Sequence, residues 1–252
     1  MATAGDKAGA FAALHRPGDP IVLYNVWDAG SAQAVAEAGA KALATGSASV
    51  AAAHGFHDAE ALPLDLALAN AARVASAVEL PVTIDFEGAY GLEPEAVAAN
   101  VARLAATGAI GCNFEDQLIG GEGLHPIEAQ AARIRAARAA AGPDFFINAR
   151  TDIFLKAKAA THEPAAIEEA IARALAYANA GASGFFVPGL ADLRQLARIC
   201  AASPLPVNFM AFPGAPEASA VAAAGVARIS HGPFPYRQAM KALKEAAEAI
   251  YG

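Results

Sequence analysis

Eight times along 252 residues, a short apolar run is followed by an alanine-rich stretch with helical spacing. The runs are Ile21–Val26, Ala42–Thr45, Pro81–Phe86, Ile110–Phe114, Phe145–Ala149, Gly184–Val187, Val207–Phe212 and Ala227–Ser230. Continuously apolar runs of this length are strands covered on both faces, which is the habit of parallel sheets joined by helical crossovers. The stretches between them are Ser31–Ala38, Asp65–Val78, Glu95–Thr107, Ile127–Ala141, Pro164–Asn179, Leu190–Ala201, Glu217–Ala224 and Arg237–Ala249; Gly39 and Gly108 stand just past two of their ends as helix stops. A short helical lead, Ala8–His15, precedes the first run, and a long connection containing Gly46–Asp58 follows the second. Eight such units in about 250 residues match a closed α/β fold, the (β/α)8 TIM barrel, better than an open doubly wound sheet. The expectation is one barrel domain over residues 1–252, since no composition break or low-complexity segment divides the chain.

Hydrophobic residues make up 56% and charged residues 17%, enough apolar material for an extensive core. No run of about 18 strongly apolar residues occurs, so a membrane span is not expected. A net charge of -7 without a block of lysines or arginines argues against nucleic acid or an anionic membrane as a partner. A cytoplasmic location follows as the expectation. Cys112 and Cys200 are too few for a disulfide framework and read as small buried hydrophobes.

In such a barrel, chemistry belongs at the C-terminal ends of the strands and in the loops that follow. The polar residues collect there. Strand alternation puts Thr83, Asp85 and Glu87 on one face of the third strand, Asn113 and Glu115 on one face of the fourth, and Asn148 and Arg150 on one face of the fifth. Asp85, Glu87 and Glu115 would repel one another if they converged, so a divalent cation is expected among them. Mg2+ suits an all-oxygen site with few direct carboxylates, with Mn2+ as its substitute, and no HxxxH or CxxC arrangement offers a zinc site. The plainer alternative is that these acids cap helices or pair with Arg150. Thr45-Gly46-Ser47-Ala48-Ser49 could receive an anion on its backbone N–H groups or be an ordinary turn. Trp27 could line the pocket or pack in the core, and Asn208 could meet substrate or be a satisfied buried amide. His54 and His57 lack a third ligand and read as rim or surface residues.

The combination of Thr45-Gly46-Ser47-Ala48-Ser49, Asp58, Asp85-Phe86-Glu87-Gly88-Ala89-Tyr90-Gly91, Asn113-Phe114-Glu115-Asp116 and Asn148-Ala149-Arg150-Thr151-Asp152 resembles the isocitrate lyase / phosphoenolpyruvate mutase superfamily. The resemblance implies a barrel that binds Mg2+ and a 2-oxo acid. It also implies that the eighth helix, Met240–Tyr251 here, is exchanged between subunits of a homodimer or homotetramer. Residue by residue it implies Asp85 as the direct Mg2+ ligand, with Asp58, Glu87 and Glu115 holding metal-bound water. Gly46 and Ser47 would take the substrate carboxylate, and Arg150 would stabilise charge on the oxo or enolate side. Tyr90 beside the metal could donate a hydrogen bond to substrate.

One segment departs from that pattern. Lyases of the superfamily carry a Lys-Lys/Arg-Cys-Gly-His loop after the fourth strand and mutases a Lys-x-Asn-Ser version, whereas this chain has Leu118-Ile119-Gly120-Gly121-Glu122-Gly123-Leu124-His125-Pro126. The three glycines would allow a gating loop, in which Glu122 and His125 are the only proton-moving side chains; His125 could equally be a helix cap. The leading expectation is a Mg2+-dependent lyase acting on a small 2-oxo or 2-hydroxy dicarboxylic acid, by C–C cleavage or decarboxylation through a metal-stabilised enolate. Decarboxylation survives the missing cysteine best, because CO2 leaves without a proton. The alternatives are a C–P hydrolase or mutase acting on phosphonopyruvate and a catalytically silent 2-oxo acid binder.

Overall fold

The computed structural model describes residues 3–156 and 164–252. The chain begins with α1 (Ala4–Ala13), whose Thr3 and Asp6 form a reciprocal capping box. It continues through β1 (Ile21–Leu23), α2 (Ala29–Glu37), β2 (Leu43–Ala44), α3 (Ser47–Ala53), α4 (Leu64–Ser76), β3 (Val82–Asp85) and α5 (Pro94–Ala105). Next come β4 (Gly111–Glu115), α6 (Ile127–Ala141), β5 (Phe146–Arg150), α7 (Ile153–Lys156), α8 (Pro164–Asn179) and β6 (Gly184–Phe186). The last elements are α9 (Leu193–Ala202), β7 (Val207–Met210), α10 (Ala218–Ala223), β8 (Arg228–Ser230) and α11 (Phe234–Tyr251).

All eight strands are parallel and lie in the order β1-β8-β7-β6-β5-β4-β3-β2. The ring closes through a parallel bridge between Val26 and Thr45, just beyond the ends of β1 and β2. There Val26 N–H donates to Ala44 O and Gly46 N–H to Val26 O. The expected (β/α)8 barrel is therefore present, as a ring whose seam is drawn together by loop residues. Short α3 and α7 were not expected: α3 occupies the connection read as a loop, because alanines and small residues there support a helical turn as well as an irregular one.

Alternation decides which side chains reach the barrel's inside. Val82, Ile84, Phe86, Cys112 and Phe114 point outward into the layer between sheet and helices, where they join the main apolar core. The base is plugged by a second cluster in which Phe11, His15 and Phe146 pack ring against ring, at centroid distances of 4.4 to 5.1 Å. Gly111 permits the neighbouring strand to come close; a Cβ there would lie 2.4 Å from Phe146 O. Cys112 is buried in the core as expected and Cys200 is partly buried, both free thiols.

Candidate active site

At the C-terminal ends of the strands lies a cavity of ≈ 200 Å³ lined by Asn25, Gly46, Ser47, Ala48, Asp58, Asp85, Asn113, Arg150, Leu155, Phe186, Met210, Ser230, Gly232, Pro233 and Arg237. It is polar toward β3–β5 and apolar toward Leu155, Phe186, Met210 and Pro233. Asp85, the last residue of β3, is fixed on three sides. Its N–H donates to Thr45 Oγ1 at 2.9 Å, its Oδ2 accepts from Ser47 N at 3.0 Å, and its Oδ1 accepts from Asn113 Nδ2 at 3.3 Å. Carboxylate oxygens have about two acceptor sites each, so capacity remains for a ligand.

Arg150 ends β5 and is held between two acids. Its Nη1 lies 2.9 Å from Glu115 Oε2, and Asp152 takes Nε and Nη2 at 2.6 and 2.9 Å in a fork. Burial alone would lower the guanidinium, but Glu115 and then Asp152 carry it well above its ordinary value. Burial pushes Glu115 up, with Arg150 pulling it back. Asp152 was not singled out from sequence, although its place two residues after Arg150 in a strand-end loop lets it turn back to grip the guanidinium.

Behind this group sits a sealed one. Asp116 faces the opposite side of β4, accepting Asp152 N at 3.0 Å on Oδ1 and Arg173 Nη1 and Tyr177 Oη at 3.0 and 2.8 Å on Oδ2. Every oxygen is occupied and the residue is fully buried.

The remaining acids do not gather as the alternation suggested. Glu87 lies past the end of β3 with φ at 50°, so the strand's alternation no longer sets its direction. Its two oxygens accept Ala59 N and Glu60 N, each at 2.9 Å, and Glu60 in turn accepts Tyr90 N at 2.7 Å. Positive φ values at Ala59, Glu60, Glu87, Ala89 and Tyr90 are confined to these two loops. Such conformations cost roughly 1 to 3 kcal/mol each, and the interlocked carboxylates hold them in place. Burial first, then Asp58, pushes the Glu87 carboxyl up.

Among the described residues no three His, Cys, Asp or Glu side chains are gathered closely enough to hold a metal by themselves. What the cavity does present is Asp85 and Asp58, hard oxygen donors with Glu87 behind them. A cation that accepts one or two carboxylates and completes its shell with water and ligand oxygens fits this set. That is the behaviour of Mg2+ rather than of zinc or calcium.

Several expected contacts fall elsewhere. Thr45 supports Asp85 and does not line the cavity, and the N–H groups of Gly46 and Ser47 are engaged with Val26 O and Asp85, although both residues form part of the wall. Trp27 packs edge-on against Tyr236 at 5.2 Å beside Val50 and Leu62. Asn208 is buried below the cavity, with Ser230 Oγ donating to its Oδ1 at 3.3 Å. Tyr90 lines a narrow space behind Asp85 and Glu87. Glu122 is exposed, and His125 lies with Glu60 and Arg133 in a separate surface pocket, its imidazole driven down to about 4 mainly by burial. Sequence reasoning also passed over Arg237, on α11, which brings a second guanidinium to the rim.

A barrel with fixed carboxylates facing a clamped arginine at the C-terminal ends of its strands belongs to the class of (β/α)8 proteins whose chemistry sits at that face. A family model described as phosphoenolpyruvate phosphomutase matches residues 11–251, and the chain belongs to this family, within the isocitrate lyase / phosphoenolpyruvate mutase superfamily. The chain is 31% identical over 260 residues to 2-methylisocitrate lyase of Escherichia coli, covering 94% of this chain and 84% of the relative. It is 36% identical over 241 residues to an uncharacterised Mycobacterium tuberculosis protein, covering 96% and 88%. Among solved structures, a Burkholderia cenocepacia protein with a provisional phosphonomutase assignment shares 51% identity at a TM-score of 0.95, with 98% and 99% coverage. The 2,3-dimethylmalate lyase structure shares 29% identity at 0.85, with 100% and 88% coverage.

Proposed function

We propose that the protein is a Mg2+-dependent carbon–carbon lyase acting on a small 2-oxo or 2-hydroxy dicarboxylic acid. The observation that carries this reading is the division of one small cavity into an acidic wall, Asp58 and Asp85, and a basic side, Arg150 with Arg237 at the rim. A diacid carries negative charge at both ends, so one end can share a cation with the acidic wall while the other meets a guanidinium. Bound Mg2+ would supply a Lewis acid for the 2-oxo group. Arg150, immobilised by Glu115 and Asp152, needs no reorganisation to donate toward charge that develops on substrate oxygen. Ser47 N–H and Asn113 hold the Asp85 carboxylate in one orientation, and Thr45 Oγ1 fixes the backbone that carries it.

Decarboxylation is the favoured bond cleavage. Glu122 and His125 are the only proton-moving side chains of the altered loop, and both lie away from the cavity. A step that releases CO2 needs neither. Assays with oxaloacetate and with 2-methylisocitrate, with and without Mg2+, test the proposal; absence of metal-dependent turnover of either acid rejects the lyase reading. Phosphonopyruvate belongs in the same assay, because phosphate release from it would move the activity to C–P chemistry.

The reading extends to assembly. Val22 on β1 is 51% exposed and lines an outer groove with Phe209, Phe212 and Ile229, Tyr24 just past β1 is 41% exposed, and α11 exposes Leu243, Ile250 and Tyr251. Exchange of α11 between copies would cover both surfaces and produce a homodimer or homotetramer. Light scattering that returns a monomer at micromolar concentration rejects it.

A further inference from the structure

Arg228 opens β8 with its side chain inside the barrel and is completely buried. Nη2 donates to Asn113 Oδ1 at 3.3 Å, while Nε and Nη1 meet no acceptor and no carboxylate pairs with the group among the described residues. On the base side its guanidinium carbon lies 5.9 Å from the centre of the Phe11 ring. His15 offers no compensation: burial first, and Arg228 second, drive its imidazole down to about 3, so it is neutral. On the mouth side, Asp85 is the acid whose field reaches the guanidinium. Burial lowers Arg228 to about 10, which still leaves it charged at neutral pH.

Such an ion does little for folding. Exchanging a buried charge for an apolar side chain of similar volume is often neutral or stabilising. Its position gives it another use. Asn113 lines the cavity and has its Oδ1 held by both Arg228 and Asn148, the latter at 2.8 Å, so the guanidinium sits one side chain beneath the mouth. We infer that Arg228 is a specificity-determining residue that acts by its field, a fixed cation under the floor of the cavity that favours dianionic small acids. It is a positioning residue that touches no substrate, and the inference rests on the reading of the mouth as an acid-binding site.

Oxalate is the probe, titrated by calorimetry in saturating Mg2+, with Mn2+ affinity read separately by electron paramagnetic resonance. At the effective dielectric of a protein interior, losing one charge at this range should weaken oxalate binding by Arg228→Met about tenfold. The same variant should bind Mn2+ as tightly as the parent or more tightly, since a repelling cation has gone. Arg228→Lys, which keeps the charge, should retain oxalate affinity within about threefold of the parent. A loss of anion affinity with no loss of cation affinity is a signature that a packing defect does not produce. Should Arg228→Met fail to fold, Arg228→Gln carries the same expectation. Unchanged oxalate affinity in the neutral variant overturns the inference, as does an equal loss in the lysine variant. Oxalate that fails to bind the unaltered protein with Mg2+ overturns the acid-site reading itself, and this one with it.

Discussion

Glu115 and Asp116 are chemically similar neighbours with opposite surroundings. Glu115 points into the barrel and shares Arg150 with Asp152 at the wall of a cavity. Asp116 points behind the sheet and spends both oxygens on Arg173, Tyr177 and the backbone of Asp152. Each acid meets an arginine at about the same distance, 2.9 and 3.0 Å. What separates them is unused hydrogen-bonding capacity: the inward group leaves N–H donors of Arg150 facing open space, and the rear group leaves nothing. The sealed group also builds the open one, because the backbone that Asp116 fixes belongs to the residue that grips Arg150. On the function proposed above, chemistry belongs to the partly satisfied ion cluster and stability to the fully satisfied one.

That division can be broken at several points. The largest effect is expected for Asp85→Ala, which should weaken metal-dependent oxalate binding by more than about 100-fold, since the cavity carboxylate oriented by Ser47 N–H and Asn113 is lost. Its melting temperature should hold, because a negative charge leaves an acidic wall; a collapse in stability would show Asp85 to be structural. Asp116→Asn should do the reverse, costing about 3 kcal/mol in urea unfolding, because Arg173 loses its one buried carboxylate partner and keeps only the half-exposed Glu169. If it lowers activity without lowering stability, the two clusters are not divided as described.

A smaller effect belongs to the base of the barrel. His15 is buried with Nδ1 against Phe11 O and Nε2 without a partner, and its folded pKa is far below that of the unfolded chain. The unfolded state therefore takes up a proton first, so stability is full above pH ~6.5 and falls as the pH drops from there toward ~3. The slope is at most about 1.4 kcal/mol per pH unit. His15→Phe should flatten that acid limb in urea melts at pH 7 and 5, and an unchanged slope would show that the imidazole is already charged in the fold. The smallest effect is expected for Glu122→Gln, which should leave kcat/KM within about twofold, as for an exposed charge remote from the chemistry. A larger loss would bring the altered loop into the reaction and weaken the case for decarboxylation.

Much of this molecule is readable from residue order. Apolar runs between alanine-rich stretches identify all eight strands, and period-two alternation correctly sends Asp85, Asn113, Glu115 and Arg150 inward and Cys112 and Phe114 outward. The same rule fails at Glu87, two residues beyond β3, where the left-handed backbone ends the alternation. It fails to flag Arg237 because a helix far along the chain supplies a rim residue with no local signal. Arg228 carried a usable one: an arginine between Ala227 and Ile229 in a strand places a charge where a barrel interior expects an aliphatic side chain. The altered loop was visible as a departure, but its two proton carriers could be located only once their neighbours were known.

The seam between β1 and β2 lends the mouth a mechanical character. Seven of the eight strand junctions are ladders, whereas this one depends on the Val26–Thr45 bridge and on Asn25, whose Nδ2 donates to Thr45 O. Asn25 Oδ1 in turn accepts the N–H groups of His231 and Gly232, tying the loop after β8 to the same point. Asn25, Gly46, Ser47 and Gly232 all border the cavity, so an acid seated there lies across the weakest join of the ring. On the proposed function, an acid bound there would work as a clasp on an open bracelet, and the energy holding it in place would also keep the hoop round.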